Sequence, residues 1–330
     1  MEPLIQLKNI RVKFPVKRGF ASMIAGQEKK VVHAVNGINL EIGKSEIMAL
    51  VGESGSGKTT LGKVITVLHP KDAVAGEIVF LGESLWDEKG KLKSGYHQEV
   101  CMIFQDPYQS LNPKHKIEKI VSEPLVVNKI SKSKAVLRVR VIQALEDAGL
   151  VPAVDFLDRY PHELSGGQRQ RVVVASALVM SPKLIVADEP VSMLDVSIRS
   201  EILKLLLKLR DEKGISCLFI THDISLAWAI SDKIGVMYLG TMLEYGDTES
   251  VIQNPQNPYT RALIDIMPKM RVRKNEKRML LKGETPNPIE LPEGCVFHPR
   301  CPLAMACCKA TKPPSRDVGN GHINVCHLLE

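Results

Sequence analysis

Residues 52–59 constrain the fold of this chain more than any other segment. They fit the pattern G-x-x-x-x-G-K-[ST], and they lie between an apolar run at residues 48–51 and a segment with helical apolar spacing. Glycines let successive backbone N–H groups turn toward phosphate oxygens, and a helix that begins beside them adds its positive dipole end. The segment therefore predicts a strand, a phosphate-binding loop and a helix.

The side chains of this loop have separate predicted roles. Lys58 places a positive charge beside the β and γ phosphates of a nucleotide, Thr59 offers its hydroxyl to Mg²⁺, and Thr60 contacts the α phosphate. A chance glycine-rich turn is the alternative interpretation of the pattern. The predicted nucleotide-binding residues of the loop are Gly52, Ser54, Gly55, Ser56, Gly57, Lys58, Thr59 and Thr60.

Composition limits the class of protein. Hydrophobic residues make up 44% of the 330 residues, enough to bury one sizeable core and leave a small appendage. No apolar run reaches about 18 residues, and the N-terminus lacks a secretory signal pattern. We expect a folded protein that neither spans a membrane nor is secreted. The net charge of +7 is common among ordinary proteins, and we expect no nucleic-acid partner.

The remaining chain alternates between strand and helix patterns. Apolar runs at residues 184–187 and 218–220 flank an amphipathic helix, which predicts a parallel α/β sheet with sites at the carboxyl ends of its strands. Residues 107–165 are mainly helical in pattern, and Lys134 to Gly149 is the clearest helix. Proline and asparagine become frequent past Gly246. We place a domain boundary near residue 250, between residues 1–250 and 251–330.

Polar residues at the ends of three apolar runs are candidate catalytic groups. Asp188 can hold Mg²⁺, and Glu189 can act as the general base that polarises the water attacking the γ phosphate. His222 can position that water, and the amide of Gln105 can bind Mg²⁺ or the water. A solvated turn for the acidic pair, and structural roles for His222 and Gln105, are the alternatives when each is judged alone.

A second glycine motif identifies a family. The residues Leu164-Ser165-Gly166-Gly167-Gln168 precede a helix and resemble the signature sequence of ABC-type ATPases. Most other phosphate-loop enzymes lack this sequence. Together with residues 52–59, Gln105, the acidic strand and His222, they reproduce the ABC motif set in order. The resemblance implies that Ser165, Gly166, Gly167 and Gln168 act on ATP bound to a partner subunit.

The same resemblance supplies two further residues and a fold. Asp195 matches the loop that joins the two sites of an ABC dimer, and Phe14 is the candidate for stacking on adenine, although it could equally belong to the core. The implied fold class is α/β, an ABC ATPase nucleotide-binding domain. It consists of a RecA-like parallel-sheet core with an antiparallel β subdomain and a helical insert, plus a small C-terminal Cys-rich domain.

Segments outside the shared motifs resemble one subgroup of ABC proteins. Residues 102–107, 110–113, 160–163 and 257–263 look like the oligopeptide and dipeptide permease ATP-binding subunits. Asp106 and a basic insert at residues 15–30 favour the F-type subunit. The implied function is ATP hydrolysis that energises uptake of dipeptides or oligopeptides, with oligosaccharide or nickel uptake as alternatives. A soluble ABC ATPase outside transport is a weaker alternative, because the chain has one cassette and no heptad run.

That subgroup also implies partners and a location. A second, D-type ATPase subunit would pair with this chain as a heterodimer beneath two transmembrane permeases. An extracellular substrate-binding protein would act indirectly. The chain would then be a peripheral protein at the cytoplasmic face of the cell membrane.

Cysteines are concentrated in the last 36 residues. In a protein that is not secreted, such a cluster indicates metal binding more than disulfides. Cys295, Cys301, Cys308 and Cys326 resemble the iron–sulfur motif of the same family, with Cys307 as the spare thiol. We predict a [4Fe–4S] cluster with a structural role; a zinc ion bound by four cysteines and unligated buried thiols are the alternatives.

Overall fold

The computed structural model describes residues 2–16, 30–267, 281 and 283–329. The insert predicted at residues 15–30 lies largely outside the described residues. The chain divides into two units, which are described separately. Unit 1 comprises the described parts of residues 1–43, 48–85 and 221–330, and unit 2 comprises residues 44–47 and 86–220.

The secondary-structure elements are numbered in chain order. The strands are β1 (Ile5–Pro15), β2 (Val31–Ile42), β3 (Ile47–Val51), β4 (Val74–Phe80), β5 (Glu83–Ser84), β6 (Val100–Ile103), β7 (Leu184–Asp188), β8 (Ser216–Thr221), β9 (Lys233–Tyr238), β10 (Thr241–Asp247), β11 (Ser315–Asp317) and β12 (Ile323–Val325). The α-helices are α1 (Lys58–Ile65), α2 (Tyr96–Glu99), α3 (Pro107–Ser110), α4 (Ile117–Val127), α5 (Lys134–Asp147), α6 (Gly166–Leu178), α7 (Val196–Lys213), α8 (Ile224–Ile230), α9 (Thr248–Gln253), α10 (Pro258–Asp265) and α11 (Ala306–Ala310).

Unit 1 contains an antiparallel sheet in which β1 pairs with β2 and β4, and β4 pairs with β5. Apolar residues of β1 are buried in two alternating pairs, Ile5 with Leu7 and Ile10 with Val12, and a register shift separates the pairs. Several register shifts interrupt the β1–β2 and β1–β4 pairings. This sheet has the organisation expected of the antiparallel β subdomain.

A second set of strands in unit 1 carries the phosphate loop. Strand β3 pairs in parallel with β9, whereas β9 and β10 form a hairpin through Leu239 and Gly240. Both turn residues have positive φ, 43° and 74°, as a two-residue type I′ turn requires. Strand β10 then pairs antiparallel with β12, and β12 with β11. C-terminal strands thus extend a sheet that begins in parallel.

The apolar core of this part of unit 1 includes residues distant in sequence. Ala49 and Val51 of β3 belong to the same buried cluster as Tyr238 of β9, Tyr259 of α10 and Phe297. The rings of Tyr238, Tyr259 and Phe297 contact one another, with centroids 4.9 to 5.3 Å apart. The strand that leads into the phosphate loop therefore shares a core with C-terminal residues.

Unit 2 combines a parallel sheet with helices. Strands β6, β7 and β8 are all parallel, and every residue of β7 and β8 is buried. Helices α4, α5 and α6 pack on one another. Helix α5 confirms the predicted helix that starts at Lys134, and Gly149 just beyond it has a φ of +79°. Helices dominate residues 107–165 as predicted.

One feature of the fold corrects the prediction of a parallel sheet. The pairing is mixed, because β10 pairs antiparallel with β9, β12 with β10, and β11 with β12. Only Leu239 and Gly240 join β9 to β10, and two residues are too few for the crossover connection that a parallel pair needs, so β9 and β10 pair antiparallel. The domain boundary near residue 250 stays a prediction.

Candidate functional site

The phosphate loop has the backbone conformation that its glycines predict. Gly52, Gly55 and Gly57 have φ angles of 152°, 78° and 99°, which side chains disfavour. A Cβ added at Gly52 would lie 2.2 Å from the carbonyl oxygen of Met237, and one at Gly57 would lie 2.3 Å from that of Ala34. Close approach of neighbouring backbone therefore requires glycine at two of these positions.

Lys58 begins α1 and is buried inside the loop. Its Nζ donates to the carbonyl oxygens of Gly52 and Glu53, at 2.8 and 2.9 Å, and to Ser56 Oγ at 3.2 Å. The loop thus surrounds an ammonium group at the N-terminus of a helix, where both charge and dipole favour an anion. Thr59 is exposed at the same end of α1. The arrangement suits a polyphosphate.

Glu53, a variable position of the loop pattern, makes contacts that the sequence analysis missed. The Arg300 guanidinium donates to its carboxylate oxygens at 2.5 and 3.1 Å, and Thr285 Oγ1 donates at 3.0 Å. The Glu53 N–H donates to the hydroxyl oxygen of Tyr259 at 3.0 Å. Burial raises the pKa of Glu53, but the hydrogen bonds from Arg300 and Thr285 and the charges of Arg300 and Lys58 together outweigh it and hold the pKa below its ordinary value.

Two further candidate residues of unit 1, Phe14 and His222, lie on different elements. Phe14 is half-buried near the end of β1, and its ring lies 5.0 Å from the ring of His69, at an angle of 56°. His222 is exposed directly after β8. Asp223 then caps α8 by accepting from the N–H of Ser225. The adenine-stacking role of Phe14 and the catalytic role of His222 stay predictions.

In unit 2 the structure brings Gln105 and Glu189 together. Gln105 Nε2 donates to Glu189 Oε2 at 3.0 Å. Asp188 ends β7 and is buried, whereas Glu189 follows with a φ of +47°, and its N–H donates to the Ile220 carbonyl oxygen at 2.9 Å. A non-glycine residue with positive φ at a strand end is strained, a feature that recurs at functional sites.

The signature residues form the N-terminus of α6. Ser165 caps the helix: its Oγ accepts from the N–H of Gln168 at 3.3 Å, while Gln168 Oε1 accepts from the Ser165 N–H at 3.0 Å. A Cβ on Gly167 would lie 2.8 Å from Ile198 of α7, and a Cβ on Gly166 would have only Tyr108 Oη nearby, at 3.9 Å. The helix N-terminus is thus rigidly capped.

Asp195 occupies the N-cap position of α7 in unit 2. It is exposed, and its side chain makes no capping hydrogen bond. The preceding loop is held instead by Ser192 Oγ, which donates to the Glu189 carbonyl oxygen at 3.1 Å, and by Arg199, which donates to the Leu194 carbonyl oxygen at 2.8 Å. The exposed carboxylate is therefore not required for the helix cap.

The four predicted cluster cysteines line one small pocket in unit 1. Cys295, Cys301, Cys308 and Cys326 all border it, and Cys307 does not. No disulfide joins the cysteines. Within residues 2–16, 30–267, 281 and 283–329, no group of three or more His, Cys, Asp or Glu side chains has the arrangement of a metal-ion site.

Backbone N–H groups are directed at these sulfurs. The N–H of Met305 donates to Cys308 Sγ and that of Leu328 to Cys326 Sγ, each at 3.5 Å. Burial raises the pKa of the Cys295 thiol to about 11, partly offset by a backbone hydrogen bond from Phe297. Buried thiols that accept N–H bonds are the environment that a bound cation would turn into thiolates.

Comparisons with known proteins agree with this geometry. The ABC transporter family model matches residues 35–192, and the model of the oligopeptide/dipeptide transporter C-terminal region matches residues 243–308. No helix of the described residues is long and apolar enough to cross a membrane. The phosphate loop, the signature residues and the first three predicted cluster cysteines lie inside the matched ranges, whereas four other predicted site residues lie outside them: Phe14, Asp195, His222 and Cys326.

Relatives match over nearly the whole chain. The dipeptide transport ATP-binding protein DppF of Haemophilus influenzae is 39% identical over 329 residues, 99% of this chain and 97% of the relative. The oligopeptide transport ATP-binding protein OppF of Salmonella typhimurium is 41% identical over 312 residues, 94% of this chain and 92% of the relative. The chain therefore belongs to the ABC transporter family, among ATP-binding proteins with the oligopeptide/dipeptide transporter C-terminal region.

Solved structures confirm the ABC ATPase fold. The protein cbiO1 of Clostridium perfringens, part of the ABC transporter complex cbiONQ, matches with a TM-score of 0.62 and 28% identity, over 77% of this chain and 92% of that chain. The ATP-binding cassette MJ0796, solved as a dimer bound to ADP and Pi, matches with a TM-score of 0.60 and 28% identity, over 74% of this chain and 98% of that chain. The chain is an ABC-type ATPase.

Proposed function

We propose that this chain is the ATP-hydrolysing subunit of an importer of dipeptides or oligopeptides. The observation that carries the proposal is the C-terminal match at residues 243–308, because the phosphate loop indicates only nucleotide binding, whereas this region is named for oligopeptide and dipeptide transporters. Peptide transport also stands in the names of both relatives reported above. The oligosaccharide and nickel alternatives have no such support.

The catalytic proposal assigns one role to each group. Lys58 neutralises the β and γ phosphates, Thr59 and Asp188 hold Mg²⁺, and Glu189 acts as the general base toward the attacking water. The hydrogen bond from Gln105 to Glu189 supports a shared role, because it fixes the carboxylate that must accept the proton. The remaining proposed contacts are those of Thr60 with the α phosphate, Phe14 with adenine, and His222 with the attacking water.

The signature residues are proposed to act on a partner's nucleotide. Ser165, Gly166, Gly167 and Gln168 cap the start of α6, where backbone N–H groups and the helix dipole favour an anion. Asp195 is proposed to connect the two sites of the dimer. Support for pairing comes from the matched cassette MJ0796, which was solved as a dimer.

The proposed assembly is a heterodimer with a second, D-type ATPase subunit. Two transmembrane permeases would hold this pair at the cytoplasmic face of the membrane, and a substrate-binding protein outside the cell would deliver the peptide. In this arrangement the chain reaches the membrane through its permease partners, which fits the finding that no described helix could span a bilayer.

Reconstitution of the transporter in vesicles tests the proposed function. Vesicles with the two permeases, the D-type subunit and this chain are supplied with binding protein that carries a dipeptide, an oligosaccharide or Ni²⁺. We expect ATP hydrolysis and uptake to rise with the peptide alone. Stimulation by the oligosaccharide or by Ni²⁺, with none by peptides of two to five residues, would contradict the assignment of cargo.

We propose that the four cysteines that border this pocket hold a [4Fe–4S] cluster, with a zinc ion bound by four cysteines as the alternative. Four sulfurs around one zinc ion lie about 2.3 Å from it, so they must converge on one point. The four described thiols border a common pocket, and this shared border is what supports a joint role for them. Their number and softness suit a [4Fe–4S] cluster, which would tie together the short elements of the C-terminal region. Cys295, Cys301, Cys308 and Cys326 would hold it.

Replacing Cys308 by serine is expected to remove this cluster, because three thiolates remain where four are needed. After anaerobic purification, wild type should contain about four iron and four sulfide per chain, and Cys308→Ser much less of both. The matched control is Cys307→Ser, since the adjacent thiol does not border the pocket. One zinc ion and no sulfide in wild type would show that the cysteines bind zinc and not a cluster. Equal iron loss in both variants would refute the ligand assignment.

A further inference from the structure

The phosphate loop is tied to the C-terminal region of the same unit at a single residue. Glu53 accepts hydrogen bonds from Arg300 and Thr285, and its own N–H donates to Tyr259. We call these four residues the Glu53 latch. Phosphate binding by the loop needs glycines, the lysine and the hydroxyl group, and none of these requires a carboxylate held by distant residues. The latch therefore needs a separate explanation.

The ion pair of the latch has the geometry of a strong interaction. Two guanidinium nitrogens of Arg300 reach the two carboxylate oxygens of Glu53, and the Arg300 side chain is only 7% exposed. Bidentate, charge-assisted bonds of this kind fix the orientation of both partners. Arg300 also lies 5.8 Å from the centre of the Tyr238 ring. Removal of either partner would leave a largely buried charge without its counter-ion.

The latch adjoins the cysteine pocket through two connections. Arg300 immediately precedes Cys301, and its N–H donates to the carbonyl oxygen of Phe297 at 3.0 Å. Phe297 borders the cysteine pocket and contacts the ring of Tyr259, whose hydroxyl accepts the Glu53 N–H. The backbone between Cys295 and Cys301 thus supports both the pocket and the latch.

We propose that the Glu53 latch sets the shape of the phosphate loop, so that the affinity for nucleotide depends on Arg300 as a positioning residue. The loop backbone at Glu53 is held from both sides, by Tyr259 at its N–H and by Arg300 at its side chain. A second part of the inference rests on the proposed cluster. Metal bound in the cysteine pocket stabilises residues 295–301, so that loss of the metal weakens nucleotide binding through Arg300.

Calorimetric binding of a non-hydrolysable ATP analogue with Mg²⁺ to the full chain tests the latch. Arg300→Met should raise the dissociation constant about tenfold. Arg300→Lys keeps the charge but not the bidentate fork, so its dissociation constant should lie between those of wild type and Arg300→Met. Lys8→Met is the matched control, because it removes an exposed ion pair with Glu77 in the same unit. If Arg300→Met binds the analogue like wild type, the latch proposal is overturned.

A double-mutant cycle separates positioning from general destabilisation. If Arg300 acts through Glu53, then Glu53→Gln and Arg300→Met together should weaken binding little more than either alone. Glu53→Gln by itself keeps the test decisive if Arg300→Met is insoluble. Additive losses in the cycle would overturn the coupling between the two side chains, whatever the change in melting temperature.

Cys301→Ser tests the extension to the metal, with iron content and analogue binding measured on the same sample. We expect both to fall. Loss of iron with unchanged binding would overturn the extension while leaving the cluster assignment intact. If purified wild type contains no metal, the proposed cluster and the extension are both refuted. The Arg300 variants still test the latch proposal in that case.

Discussion

Replacing Glu189 by glutamine is expected to slow ATP hydrolysis by about two to four powers of ten while leaving ATP binding near the wild-type level. The amide has almost the shape of the carboxylate, so its oxygen can still accept the hydrogen bond that Gln105 donates at 3.0 Å. What the amide lacks is basicity toward the attacking water. Steady-state phosphate release in the reconstituted transporter and binding of ATP to the purified variant measure the two effects.

Glu201→Gln is the matched control for this prediction. Glu201 lies on α7 of the same unit and is exposed, and it forms an ion pair with Arg171, with an Nη2 to Oε2 distance of 2.9 Å. Its substitution makes the same change of charge away from the strand end, and turnover should stay at the wild-type level. If Glu189→Gln keeps full turnover, Glu189 is not the general base. A loss of ATP binding equal to the loss of turnover would also argue against that role.

Replacing Gly57 by alanine is expected to destabilise the protein by about 3 kcal/mol. The φ angle of +99° disfavours any side chain, and the new Cβ would lie 2.3 Å from the carbonyl oxygen of Ala34. Backbone cannot move aside as a flexible side chain can, so the loop must distort. We expect weaker ATP binding as a consequence, because Gly57 directly precedes the helix that carries Lys58. Urea unfolding measures the change in free energy.

Gly55→Ala separates backbone strain from steric conflict. Gly55 also has a positive φ, 78°, but a Cβ there would meet no atom within 4 Å. Only the conformational cost of about 1 to 2 kcal/mol applies. The stability loss should therefore be distinctly smaller than that of Gly57→Ala. Equal losses in the two variants would show that the contact with Ala34 contributes nothing to the requirement for glycine.

Local signals explain the parts of the structure that could be predicted. The start of α5 at Lys134 and its end before Gly149 follow from helical spacing and a glycine with positive φ. The phosphate loop follows from a motif whose glycines are needed by its own backbone. The family motif grouped the four cysteines that border one pocket, and the cluster that they are predicted to hold stays a prediction. In each case the relevant residues are close in sequence or belong to a known pattern.

The same local patterns could not predict which strands pair when they are distant in sequence. The antiparallel addition of β12 to β10 joins residues such as Tyr245 and Ile323, and three-residue strands carry too little alternation to predict a partner. Glu53 is the clearest case at the site. Nothing about a glutamate in a phosphate loop identifies an arginine 247 positions away as its partner.

By itself the sequence determined the nucleotide-binding class, the order of the ABC motifs, the main helices and the candidate catalytic residues. These depend on short-range backbone conformation and on residue types whose chemistry allows few substitutes. Only the tertiary structure decided that Gln105 bonds to Glu189, that four cysteines border one pocket, and that Arg300 holds the phosphate loop through Glu53. Such contacts arise when packing brings distant segments together, and their partners are chosen by geometry that no local pattern contains.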